Sequence, residues 1–234
     1  MTRPGTIAKM PGIKVLCTIG MRTVLDEVAP TFAGANGIAV TRVYDSSVAL
    51  MTRIADGETG DVAVFTARAI DELIRQRKVL ARTDLSQSFV GIAVAKGAAK
   101  PDIGTAETFK QALLNARSIA HSKTGASGLY FVSLIEKLGI ADQIRAKAKV
   151  QDGIVGKLAA RGEAEIAVQQ ISELMQADGV DIVGPLPDEL QSITIFSGGV
   201  FAASKQRTAA EAFVAHLASP AVAPIIRQKG MEPV

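Results

Sequence analysis

Tryptophan is absent from this 234-residue chain, and aromatic residues make up only 4% of it. An aromatic cage or a base-stacking surface is therefore unsupported. Cys17 is the one cysteine, which excludes an internal disulfide and a cysteine-based metal cluster. With only His121 and His216, a conventional zinc site is poorly supplied, and no metal or other cofactor is expected. No run of Lys or Arg stands out and the formal net charge is +3, so nucleic acid is not an expected partner. The small positive excess suits an anionic ligand. No stretch has the apolar length that spans a membrane, so membrane insertion is not expected. Met1–Pro11 shows neither an apolar core nor a cleavage-type site. The chain as written reads as cytoplasmic, and as periplasmic if a leader has been removed from it.

What is present is a composition of 48% hydrophobic and 21% charged residues, enough for a sizeable core in one large domain or two lobes. Three times a short apolar strand runs into a small polar cluster that opens an amphipathic helix. The clusters are Thr18–Arg22 after Ile13–Cys17, Asp45-Ser46-Ser47 after Ile38–Tyr44, and Ser122–Gly128 after Arg117–Ala120. A helix start carries unsatisfied N–H groups and a positive dipole end. Hydroxyls and glycines there let an anion approach the backbone. Three such starts that converge would form a pocket for a small anion.

Apolar runs of strand length alternate with helical patterns through Gln76, a β-α repeat that predicts a mostly parallel sheet with helices on both faces. Two long extended segments, near 88–96 and 192–203, bracket a middle block with its own βα content. The expected organisation is a first lobe of residues 1–87 plus 203–234 and an inserted second lobe of 88–202, joined by the two crossing strands. Helices are predicted at 154–161, 208–217 and 220–229, the last with Ser219 as its N-cap and Pro220 in its first turn.

Several segments carry a family resemblance. Phe213-Val214-Ala215-His216-Leu217-Ala218-Ser219-Pro220 followed by Gln228-Lys229-Gly230-Met231-Glu232-Pro233 is similar to an F…L.SP…G.EP ending. Asp45–Leu50 with Gly60-Asp61-Val62 resembles GSSGAL…ADVF, and Gly162-Glu163-Ala164-Glu165 resembles GEAD. These patterns belong to the type II periplasmic binding proteins, and within them to the molybdate-binding proteins of bacterial transporters. The resemblance covers about residues 12–234. It implies an α/β, two-lobed fold in which each lobe is a mixed, mostly parallel sheet flanked by helices. It also implies a ligand held between the lobes at the strand-to-helix junctions. Ser47 matches the family's binding serine. The family's first-loop serine is replaced by Gly20, with Arg22 two residues on, and Gln169-Gln170 stand near the family's binding tyrosine.

The expected ligand-binding set is therefore Gly20, Arg22, Ser46, Ser47, Thr66, Lys123, Thr124, Gly125, Ala126, Ser127, Gln169 and Gln170, with Arg68 beside Thr66. Each has a plainer reading. Ser46 and Ser47 suit a helix cap, Thr124–Gly128 a glycine-rich turn, and Arg22 a solvated helix face. Cys17 reads as a buried strand residue, and His216 as structural. The loss of a hydroxyl and a tyrosine, with Arg22 and Lys123 gained, favours an organic carboxylate over molybdate, because arginine grips a planar carboxylate bidentately. Two functions follow. One is a binding protein that closes over a small anion, with a transporter permease as partner only if it is exported. The other is a carboxylate isomerase on the same scaffold, an aconitate-isomerase-like allylic proton shift with His121, Lys123 or Asp152 as the base.

Overall fold

The computed structural model describes residues 12–234. The N-terminal reading of residues 1–11 lies outside the described residues. β1 (Gly12–Thr18) buries Ile13, Val15, Leu16 and Cys17. It pairs in parallel with β2 (Ala39–Asp45) and β3 (Val62–Thr66). Between these strands run α1 (Arg22–Asn36) and α2 (Ser47–Ala55), and α3 (Ala67–Arg75) follows β3. α1 buries Val24, Leu25, Val28 and Phe32, the spacing of one helical face, and ends where Gly37 takes φ 63°.

β4 (Thr83–Ala95) is the long strand of the fold. Its first half, Thr83–Phe89, pairs antiparallel with β9 (Ile193–Val200), and at Ser86 and Gln87 with β10 (Glu232–Pro233). Its second half, from Val90, pairs antiparallel with β7 (Ile166–Gln170) and β8 (Val180–Pro185). β7 runs parallel to β5 (Ile119–Ser122), which runs parallel to β6 (Ala148–Gln151). The strand order is β2-β1-β3-β9-β4-β7-β5-β6, with β8 and β10 attached to β4. The molecule is thus two-lobed, with each lobe a mixed sheet and β4 common to both.

Each sheet is covered on both faces. Around the first, Val15, Cys17, Val62 and Val64 pack with α1, α9 (Arg207–Leu217) and α10 (Ala223–Gln228), whereas Leu16, Ala63 and Phe65 pack with α2 and α3. This is the two-residue alternation of a strand buried on both sides. In the second lobe, α4 (Ala106–Asn115), α5 (Ala126–Lys137) and α6 (Ala141–Arg145) cover one face. α7 (Gly156–Ala160) and α8 (Ile171–Leu174) cover the other. Among the described residues no helix is long and apolar enough to cross a membrane.

Some predicted boundaries move. The helix expected at 220–229 starts at Ala223 with Pro224 in its first turn. Ser219 does not cap it, because its hydroxyl donates to the His216 carbonyl at 2.7 Å and the chain turns before the helix begins. The helix expected at 154–161 is reduced to α7. β9 lies wholly in the first sheet.

Candidate functional site

The carboxyl ends of β1, β2 and β3 face those of β5 and β7 across a cleft of about 780 Å³. Each strand delivers a polar residue to the rim as it gives way to a helix: Thr18, Ser46 and Ser47, and Thr66 from the first lobe, and Thr124, Gly125 and Ala126, and Gln170 from the second. Open α/β sheets place ligands at this end because every following helix points its N-terminus there.

The junctions differ in how their helices are capped. The Ser46 hydroxyl accepts from the Ala49 N–H at 3.1 Å and caps α2. Ser47 Oγ accepts from the Thr66 N–H at 3.3 Å and ties the second junction to the third strand. α3 and α5 have no side-chain cap, although both open onto the cleft. The α5 turn is held close by glycine: a β-carbon at Gly128 would stand 1.9 Å from the Ser122 carbonyl oxygen. The Gly125 N–H is spent on Ser122 Oγ at 2.9 Å. Across the cleft, Thr124 Oγ1 lies 3.2 Å from Ser46 Oγ and 2.8 Å from Asp152 Oδ1, so a hydroxyl chain joins the two lobes at the rim.

α3 adds charge. Arg68, Glu72 and Arg75 recur at helical spacing and line the cleft together. Arg75 pairs with Glu72. Arg68 has no carboxylate partner among the described residues. Phe196 of β9 and Tyr130 of α5 supply aromatic surface, and the Tyr130 hydroxyl donates to the Leu190 carbonyl at 2.8 Å.

The cleft therefore brings together Ser46, Ser47, Thr66, Thr124, Gly125, Ala126 and Gln170, with Arg68. The other expected residues stand elsewhere. Gly20 is buried beneath Phe196, where a β-carbon would come within 2.5 Å of Phe196 Cζ, so the aromatic ring lines the cleft in its place. Arg22 faces outward, 3.6 Å from Asp26 and 5.4 Å above the Tyr44 ring. Gln169 turns into the second lobe, accepting from the Val155 N–H at 2.9 Å and donating to the Gly153 carbonyl at 2.8 Å. His121 is buried beside Phe131, its Nδ1 3.1 Å from the Ser122 carbonyl oxygen, and burial lowers its pKa. Lys123 is exposed off the cleft lining, and Asp152 reaches the rim only through Thr124. Ser127 is buried just behind the α5 start, its hydroxyl without a partner. Among the described residues no three His, Cys, Asp or Glu side chains cluster as a metal would need.

Sequence reasoning missed Arg75, Phe196 and, above all, Glu173. Glu173 is 8% exposed on α8 and lines the cleft. Its Oε2 has no hydrogen-bond partner among the described residues. Desolvation pushes its carboxyl up to about 7, against a smaller opposing effect of the Gln169 amide. The one signal was an acid set among Ile171, Leu174 and Met175 directly after β7. Taken together the cleft can hold an anion on hydroxyls, helix N-termini and a guanidinium, beside a carboxyl poised to gain or lose a proton near neutrality.

Residues 13–232 match the family of bacterial extracellular solute-binding proteins. The chain belongs to that family. Among solved solute-binding proteins it is similar to the periplasmic molybdate-binding protein of Azotobacter vinelandii, with a TM-score of 0.78 at 20% identity over 94% of this chain and 98% of that one. It is similar to a periplasmic thiamin-binding protein, with a TM-score of 0.78 at 16% identity over 100% and 86% of the two chains. The sulfate-binding protein of Mycobacterium tuberculosis gives a TM-score of 0.75 at 16% identity over 96% and 87%. These likenesses establish the type II solute-binding fold. A closer relative in sequence is an aconitate isomerase of a Pseudomonas species, 37% identical over 231 residues, which span 95% of this chain and 88% of that protein.

Proposed function

We propose that this solute-binding protein takes a small unsaturated polycarboxylate into the cleft and isomerises it by moving an allylic proton. The observation that carries the reading is the pairing of two helix starts without side-chain caps, α3 and α5, with the guanidinium of Arg68, which meets no carboxylate among the described residues, on one cleft. The helix ends suit one carboxylate each, and the planar fork of Arg68 suits a third. A cavity of about 780 Å³ lies in the range that accepts an organic molecule. A compact tetrahedral oxyanion would leave much of it filled with water. The 37%-identical relative named aconitate isomerase supports the same class of ligand and reaction.

Closure is part of the proposal. The hinge we infer lies at Phe89–Val90 on β4 and at Gln191–Ser192 on the return, so that β9 moves with the first lobe. Closing the lobes expels water and brings the rim hydroxyls onto the ligand.

A thermal-shift panel of molybdate, tungstate, sulfate, citrate, cis-aconitate and trans-aconitate tests the ligand class, because binding to the folded state raises its stability. The tricarboxylates are expected to shift the melting temperature and the inorganic oxyanions are not. Incubation with cis-aconitate, followed by proton NMR, should then show the trans isomer accumulating. A response to molybdate alone would overturn the carboxylate reading. Tricarboxylate binding without conversion would leave a carrier rather than an enzyme.

A further inference from the structure

The reaction proposed above needs one group that removes a proton from carbon and gives one back, and the residues that sequence reasoning put forward stand off the cleft lining. A carboxyl outside that set does line the cleft. Glu173 sits on α8, directly after β7 ends in Gln170, and both side chains line the cleft. Both are almost fully buried, at 8% and 2% exposure. Each has one oxygen, Glu173 Oε2 and Gln170 Oε1, with no hydrogen-bond partner among the described residues. Buried acceptors are rarely left unmet, and two at one place on a cleft wall mark a spot that something else completes.

The surroundings hold this carboxyl in place. Gln176, on the turn after α8, donates to the Ile19 carbonyl of the first lobe at 3.1 Å and to the Ser172 carbonyl at 3.1 Å. The Ser172 and Ser88 hydroxyls lie 3.4 Å apart. The short helix that carries Glu173 is thereby tied to the seam where the lobes meet. Resting on the isomerase reading, we propose that Glu173 is the proton-transferring group of the cleft.

The step balances without any further reagent. The Glu173 carboxylate takes a proton from the methylene between a carboxylate and the C=C bond of the bound ligand. The C–H electron pair forms the new C=C bond, and the old one becomes an electron pair on the far alkene carbon. Protonation of that carbon by the Glu173 carboxyl restores the carboxylate and leaves the double bond moved by one position. The negative charge that develops is spread onto the substrate carboxylates, which face the α3 and α5 helix starts and Arg68.

Burial is what tunes the group. Its carboxyl is held at about 7 by desolvation, so both the base and the acid form are present near neutrality. Arg68, Glu72 and Arg75 on α3 and Tyr130 on α5 are the other charged or titratable groups lining the cleft. The Gln169 amide of β7 acts on it from the packed side and lowers it slightly.

The test compares wild type with Glu173→Gln and Glu173→Asp, using cis-aconitate as probe and D2O as solvent. Calorimetric binding, conversion rate and deuterium entry at the methylene carbon are each measured. Wild type is expected to convert, with kcat/KM rising with pH to a plateau above about 7. Glu173→Gln is expected to bind cis-aconitate within a few-fold of wild type while conversion and deuterium entry fall by about 100-fold or more. Glu173→Asp, which keeps the carboxyl but retracts it, should be slower at unchanged KM and keep the rising pH limb. It serves as the second variant should the glutamine protein fail to fold. Unchanged conversion in Glu173→Gln would overturn the assignment of Glu173 and leave the isomerase reading standing. Loss of binding in step with rate in both variants would make Glu173 a structural residue and overturn the assignment too. A wild type that binds and does not convert would overturn the isomerase reading, and the assignment with it.

Discussion

Glu173 has a consequence for stability that is independent of any substrate. Its carboxyl is held at about 7 in the folded protein, whereas an unfolded glutamate titrates near 4.3. The folded state therefore binds a proton that the unfolded state releases between those values. The stabilisation is fully present below about pH 4 and is lost as pH rises through about 7, with an amplitude on the order of 3 kcal/mol. Urea unfolding at pH 5 and pH 8 should show Glu173→Gln losing less stability over that interval than wild type. Equal losses in the two proteins would place the titration on another group. Residues at this scale were unevenly legible. Ser47, Thr66 and Thr124 could be read because a hydroxyl between a strand and a helix has few other places to go. Arg22 read well by adjacency, but a residue in the first turn of α1 points along its own helix, and it meets Asp26 four residues on. Glu173 was missed because an acid on a short helix reads by default as a solvated one. Its carboxyl matters through burial, which one sequence does not reveal.

Among the elements, the connection between lobes is held by a side chain acting as backbone. β9 begins its pairing at Ile193 opposite Phe89, and one step further along β4 the strand has moved away. There the Gln191 amide takes over the ladder, accepting from the Val90 N–H at 2.9 Å and donating to the Val90 carbonyl at 3.0 Å. Removing it leaves the N–H of buried Val90 without this partner. Gln191→Ala is therefore expected to cost about 1–3 kcal/mol of stability and to raise hydrogen exchange at Val90 relative to its neighbours on β4. Retained protection at Val90 would show that water or another group fills the role. The parallel β-α-β-α-β-α start of the fold was legible, since β1 and β3 are buried on both faces and read as apolar runs, with the half-buried β2 at the edge of the sheet beside them. The place where the chain crosses between lobes was less so. β4 starts at Thr83, five residues before the extended segment read from sequence. Its early part is mostly polar, Asp84-Leu85-Ser86-Gln87-Ser88, with Leu85 the one apolar residue among the five. Ser86 and Ser88 are fully buried there, which a polar residue in sequence does not suggest.

For the whole molecule, β4 is the feature that both lobes share. It lies between β9 and β7 in the strand order, and β8 and β10 also attach to it. The first lobe cannot lose β4 without freeing the edges of β9 and β10, and the second cannot lose it without freeing β7 and β8. Two lobes drawn as separate bodies are therefore one unit of cooperativity. Heating should give a single calorimetric transition whose van't Hoff enthalpy equals the measured heat, and two resolved peaks would show that the shared strand does not couple them. It follows that a ligand gripping the rim of either lobe stabilises the whole chain against global unfolding, so that protease cleavage at a buried site far from the cleft, which requires that unfolding, becomes a reporter of what the cleft holds.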